Sequence, residues 1–314
     1  MAVYADTRFQ TRRRALASKL AAQRIDAILV THMTHVRFLS NFSGSNGALL
    51  IRKDLTSIIS TDGRYTTQIA DEAADLENIA ARRCGEALLA TIEGNRRVAY
   101  EADYVTVSEL KRLEESKPED VTLVPVSGII EDIRLIKDEV SLNYLRKVAQ
   151  IANEAWEGLL SAGEIAAGRK EIDVAADLEY RMRKLGAERT SFDTIVASGP
   201  NSALPHHGAG DRVIEPGDIV TVDFGAFYKG FNSDCTRTVL VDHPTEFSQE
   251  IYDIVLKAQL AGIEAATPGA SLTSVDAACR TIISDAGYGE YFVHSTGHGV
   301  GLDVHEAPYA ATSG

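Results

Sequence analysis

Cysteine is scarce in this sequence. Only Cys84, Cys235 and Cys279 occur in 314 residues. An odd number, widely separated and without a C-x-x-C pair, excludes a disulfide scaffold and fits a reducing compartment. Basic residues are in the minority too: 32 Lys and Arg against 45 Asp and Glu leave a net charge of −13. That balance argues against an electrostatic grip on nucleic acid or on an anionic membrane. Long apolar runs are also missing. Arg12, Arg13 and Arg14 are followed by an amphipathic pattern, Ala15 to Ala22, that Lys19 interrupts. No uncharged run approaches the roughly 20 residues of a membrane span, and the cytoplasm is the expected location.

What remains is an ordinary soluble composition, 45% hydrophobic and 25% charged, with a mean hydropathy of −0.09. The length exceeds one ordinary core, so two domains are expected. The first part alternates helical and extended patterns: a helix over Thr11–Gln23, strands at Ala27–Thr31, Ala48–Ile51 and Ser57–Ser60, a helix over Tyr65–Ala74, then strands at Arg97–Tyr100 and Val121–Val124. This is the signature of a mixed α/β domain, placed at 1–130. A linker is expected near Val126–Asp138, and a second domain over 135–314. There, helices at Glu139–Leu160 and Glu171–Leu185 precede strands at Thr194–Ala197, Ile219–Phe224 and Arg237–Val241. Helices at Phe247–Ala266 and Ser271–Ala286 and a strand-like Tyr291–His294 repeat the order, which suggests a duplicated α/β half.

Three segments carry chemistry. In TVDFGAFYKGFNSDCTRTV, Thr221–Val239, Asp223 interrupts an apolar strand where an isolated carboxylate is costly to bury. A hairpin turning at Tyr228-Lys229 would set Asp223 directly across from Asp234. Two like charges there call for a cation between them, and a divalent metal suffices. The alternative is a solvated aspartate, or one paired with Arg237. Cys235 reads as a small strand residue rather than a nucleophile. In HSTGHGVGLDVHEAP, His294–Pro308, the histidines 294, 298 and 305 stand among glycines that oppose a helix and suggest tight backbone around an open site. In NSALPHHGAGD, Asn201–Asp211, His206 and His207 occupy a Gly/Pro loop, where a plain surface pair is equally open.

Together VDFGAFYKGFNSDCTRT, HSTGHGVGLDVHEAP and SALPHH resemble the pita-bread metallopeptidases: aminopeptidase P, prolidase and, more distantly, methionine aminopeptidase. FLSNFSGSNGALL, Phe38–Leu50, resembles the creatinase-type N-terminal domain of the proline-specific members. The resemblance implies a creatinase-like domain followed by a pita-bread domain. It also implies two divalent ions (Mn²⁺, Co²⁺ or Zn²⁺) that activate water to cleave Xaa-Pro bonds. By position, its metal ligands fall on Asp223, Asp234 and His298, its substrate-contacting and proton-transferring histidine on His305, and its pocket-lining histidine on His294. Its loop histidine falls on His206 rather than His207, because seventeen residues separate it from Asp223. A proline-containing peptide is the implied substrate and a homodimer the implied assembly.

One departure stands out. The family adds two glutamate ligands, one in an Ile/Val-Glu-Pro-Gly strand, and this sequence holds neither. Glu215-Pro216-Gly217 lies upstream of both aspartates, and Glu306 is not a ligand in the family. The expectation is therefore a C-terminally incomplete catalytic domain that by itself binds at most one metal and is inactive. A non-catalytic peptide- or protein-binding descendant and a metal-free creatine-hydrolase-like enzyme are the competing readings.

Overall fold

A computed structural model describes residues 7–313. The chain divides into two compact units, the first ending at Ile136 and the second beginning at Lys137.

The first unit runs α1 (Arg8–Ala22), β1 (Ala27–Val30), α2 (Met33–Ser40), β2 (Gly47–Arg52), β3 (Ser57–Thr61), α3 (Thr66–Glu72), β4 (Glu77–Ala80), α4 (Cys84–Leu89), β5 (Arg96–Glu101), α5 (Val107–Ser116), β6 (Val121–Val126) and α6 (Glu131–Arg134). Its strands form one mixed sheet, β4-β3-β2-β1-β5-β6. Every residue of β1 is buried, as a central strand covered on both faces requires. The expected linker at 126–138 is in part structured. α6 packs Arg134 into the core, where its guanidinium donates to His35 Nε2 at 2.9 Å.

The second unit runs α7 (Glu139–Ser161), α8 (Glu171–Lys184), β7 (Arg189–Thr190), β8 (Ile195–Ser198), β9 (Ile219–Phe224), β10 (Ala226–Tyr228), β11 (Phe231–Asn232), β12 (Cys235–Leu240), α9 (Glu246–Ala265), α10 (Leu272–Asp285), β13 (Gly297–Gly299) and β14 (Glu306–Ala310). Asp138 caps α7 by accepting from Ser141 N at 2.8 Å. The helix buries Val148, Ile151, Ala152, Ala155, Trp156 and Leu159, a 3.6-residue stripe. This stripe lies on the antiparallel sheet β12-β9-β8. Trp156 stacks on Phe224 with ring centroids 5.5 Å apart, so the core holds the end of β9 in place.

The helix–helix–extended order does recur as α9, α10 and β13. The extended segment differs from expectation, however. Gly289–Tyr291 is a 3₁₀ turn, and the strand begins only at Gly297, paired with β14. Among the described residues no helix is long and apolar enough to cross a membrane.

Candidate metal centre

β9 alternates. Val220, Val222 and Phe224 are buried against the core, while Ile219, Thr221 and Asp223 share the other face. The strand continues into a hairpin whose two turn residues are Lys229 (φ 51°) and Gly230 (φ 90°), the positive values that a two-residue hairpin turn demands. The ladder therefore pairs Tyr228 with Phe231, Phe224 with Cys235 and Asp223 with Thr236. This corrects the expected turn at Tyr228-Lys229 and the expected direct opposition of the two aspartates. Asp234 precedes β12 and sits two residues from Thr236. It and Asp223 are diagonal neighbours on one face, a placement typically about 7–8 Å apart. Gly225 allows the ribbon to turn over here, because a Cβ on it would meet the Ser191 side chain at 2.9 Å.

Asp223 pays for its position. Burial raises its carboxyl above the ordinary aspartate value, and the charge of Asp234 raises it further. A hydrogen bond from Thr236 and the nearby His206 and His305 pull the other way. Its Oδ1 is enclosed and has no hydrogen-bond partner. Such an orphan costs about 1–3 kcal/mol unless something cationic meets it.

His298 comes from β13. Its Nδ1 lies 2.9 Å from the Gly299 carbonyl oxygen, which can only accept, so Nδ1 carries a proton. Its Nε2 faces Asp234 Oδ2 at 3.3 Å. In the neutral ring that places one acceptor against another, an arrangement a cation between them would relieve. Asp234, His298 and His305 each offer a ligand atom, all within 4.8 Å of one another. The His298 and His305 rings meet edge to face at 4.4 Å.

Backbone anchors hold this ribbon. Buried Asn232 donates through Nδ2 to the carbonyls of Gly301 (3.1 Å) and Leu302 (2.9 Å). Asp276 on α10 accepts from Thr296 N (3.1 Å) and Thr296 Oγ1 (2.8 Å), just before β13. Gly299 permits the two arms to approach, since a Cβ there would meet Ala307 O at 2.6 Å. The glycines thus give tight backbone, as their spacing suggests.

The adjacent loop histidines part ways. His206 is exposed and lies close enough to bear on the charge of Asp223. His207 turns inward, its Nε2 2.8 Å from Glu171 Oε2. His294 stands outside the ligand group: it is exposed, its ring edges onto Phe292 at 4.8 Å, and its Nδ1 meets Ser295 O at 2.8 Å. Glu215 is exposed in the turn before β9, and Glu306 pairs with Lys137 at 2.7 Å, so neither joins the cluster. Burial raises the Cys235 thiol above its ordinary value, in keeping with a structural strand residue.

The donor set fits a divalent ion: carboxylate oxygens and imidazole nitrogens converge, and a buried carboxylate oxygen lacks a partner. Comparison with known proteins agrees. The profile of metallopeptidase family M24 matches residues 143–314, and that of the creatinase/prolidase N-terminal domain matches residues 12–136. The chain belongs to metallopeptidase family M24. A Pyrococcus horikoshii relative named Xaa-Pro dipeptidase is 40% identical over 287 residues, covering 90% of this M24 chain and 79% of the relative. The solved Xaa-Pro dipeptidase of Bacillus anthracis superposes with a TM-score of 0.91 at 41% identity, over 97% of this chain and 85% of that one. The X-Pro aminopeptidase of Thermotoga maritima gives a TM-score of 0.84 at 34% identity, over 96% and 85%. The architecture is accordingly a creatinase-type N-terminal domain followed by an M24 pita-bread domain.

Proposed function

We propose that this M24 metallopeptidase hydrolyses Xaa-Pro peptide bonds at a divalent-metal site held by Asp223, Asp234 and His298. One observation supports the site most: an enclosed, unpartnered Asp223 oxygen on the same face as a carboxylate and imidazoles that converge without hydrogen-bonding one another well. The names of the relatives support the substrate class. A divalent ion bound there supplies Lewis acidity and brings the pKa of water towards neutrality. The protein's own groups do the rest. His206 and His305 position the scissile peptide and donate to the oxygen of the tetrahedral intermediate. His294 lines the substrate side. Family resemblance points to two ions, Mn²⁺, Co²⁺ or Zn²⁺, and to a cytoplasmic homodimer. Three free, widely separated cysteines accord with a reducing compartment.

A second arrangement has its own support, because His305 groups with Asp234 and His298 more tightly than Asp223 does. His305→Ala separates the two. A positioning histidine leaves metal content unchanged and lowers the rate, whereas a ligand loses both. The activity itself is tested by incubating the Mn²⁺-loaded intact gene product with Ala-Pro and with a longer Xaa-Pro peptide. Cleavage of either at the Xaa-Pro bond is expected. No turnover of either, with metal bound, would contradict the proposal.

A further inference from the structure

The loop that carries His206 leaves β8 at Ser198 and returns beside α8 at Gly210. At its base sits one side chain that no motif pointed to. Glu171, the first residue of α8, is fully buried, yet its carboxylate gathers donors from along the loop. Oε1 accepts from Ser198 N (2.8 Å), Ser198 Oγ (2.7 Å) and Asn201 Nδ2 (3.0 Å). Oε2 meets His207 Nε2 (2.8 Å) and Gly210 N (3.4 Å). Backbone bonds close the frame: Glu171 N donates to Arg212 O at 3.0 Å and Ile172 N to Gly210 O at 3.0 Å. Arg212 Nη1 in turn donates to Ser198 Oγ at 2.6 Å, so that hydroxyl is committed in both directions.

Burial alone would push this carboxyl up. The hydrogen bonds from Ser198, His207 and Asn201 outweigh it and hold the group down to about 2. It is therefore an anion at any working pH and can only accept. Its place at a helix N-terminus suits that charge. Because an ionised carboxylate only accepts, the proton shared with His207 resides on Nε2 of the ring. With His207 fastened inward, the next residue back along the loop, His206, is directed outward. That is where it bears on Asp223.

We propose that Glu171 is a positioning residue for the reaction: through Ser198, Asn201, His207 and Gly210 it fixes the 198–210 loop so that His206 faces the Asp223–Asp234 pair. The inference rests on the Xaa-Pro peptidase reading above. Glu171 touches no substrate and acts only through His206. Replacing it by glutamine keeps the shape but puts a donor where two donors already converge, so the loop must re-seat.

The test is a double-mutant cycle on the Mn²⁺-loaded intact gene product. His206→Ala alone should lower kcat/KM for Ala-Pro on the order of 10²-fold, as loss of a positioned donor does. Glu171→Gln alone should lower it roughly tenfold or more, and the double variant should be no slower than His206→Ala, the non-additivity of groups that act as a unit. The NMR signal of a slowly exchanging His207 Nε2 proton, expected in the parent, should vanish in Glu171→Gln, a readout independent of turnover. Should Glu171→Gln fail to fold, Asn201→Ala deletes one of the same bonds and should show the same non-additivity at smaller size. If His206→Ala has no effect, the peptidase reading of this loop fails. If His206→Ala is slow but the two losses multiply, or the His207 proton survives in Glu171→Gln, the positioning role is overturned.

Discussion

The two halves of the second unit use the same order of elements but bury them very differently. α7 sets six apolar side chains into the core against β12-β9-β8. α9 is nearly as long, yet buries only Ser248, Ala258 and Gly262, while Phe247, Val255, Leu256, Leu260 and Ile263 lie exposed. The difference follows from what each helix pair has to pack on. The first pair packs in the core that includes β8 and β9; among the described residues the second meets β12 and the two-stranded β13–β14 ribbon. Apolar burial is the main stabilising term, so among the described residues the first half has the larger apolar support. The proposed metal centre spans both. Asp223 and Asp234 come from the first half, and His298 and His305 from the second, where polar anchors at Asn232 and Asp276 add to the burial of Val275, Cys279 and Ala310.

The largest effect expected from this contrast is on stability. Trp156→Ala removes the ring stacked on Phe224 and should cost about 3–5 kcal/mol, read from the denaturant midpoint. Leu260→Ala on exposed α9 should stay within about 0.5 kcal/mol. Comparable losses would mean that the second half is as tightly packed as the first.

A smaller effect of opposite sign is expected at Asp223. Its folded carboxyl holds its proton to higher pH than the unfolded one, so its charge destabilises the metal-free fold above the ordinary aspartate range and not in acid. Asp223→Asn keeps the shape and removes the charge. In the absence of metal it should gain about 1 kcal/mol at pH 7, raising Tm by a few degrees, and the gain should shrink towards pH 4. A lower Tm at pH 7 would show that this aspartate is stabilising and has no need of a cation. The asymmetry is that of a functional group held at a cost to the fold.

Much of this could be read in the sequence, for identifiable reasons. α7 and α8 declare themselves by long periodic patterns bounded by Asp138 and Gly186, and β9 by a short apolar run that ends at Gly225. The three motif segments do so by composition. The hairpin register could not be read off, because Lys229 adopts a positive φ that lysine does not advertise; the turn moved one residue, and Asp223 met Thr236 instead of Asp234. Short elements such as α2, α4 and β4 have too few residues to show a period. Glu171 looked like any acid in the first turn of a helix. Its role depends on Ser198, Asn201, His207 and Gly210 arriving from sequence positions about thirty to forty away. Only one weak signal was available: adjacent histidines of which just one fits the spacing to Asp223.

The central claim is that both halves grip the same metal. It is tested most directly by Mn²⁺ binding, followed by electron paramagnetic resonance or calorimetry, to the parent protein and to Asp223→Asn, Asp234→Asn and His298→Ala. Each single change should weaken binding to the most tightly held ion by at least about tenfold, because each removes a ligand, a loss no smaller than that from a supporting partner. Unchanged affinity in His298→Ala, with binding lost in the two aspartate variants, would confine the site to the first half and contradict the account.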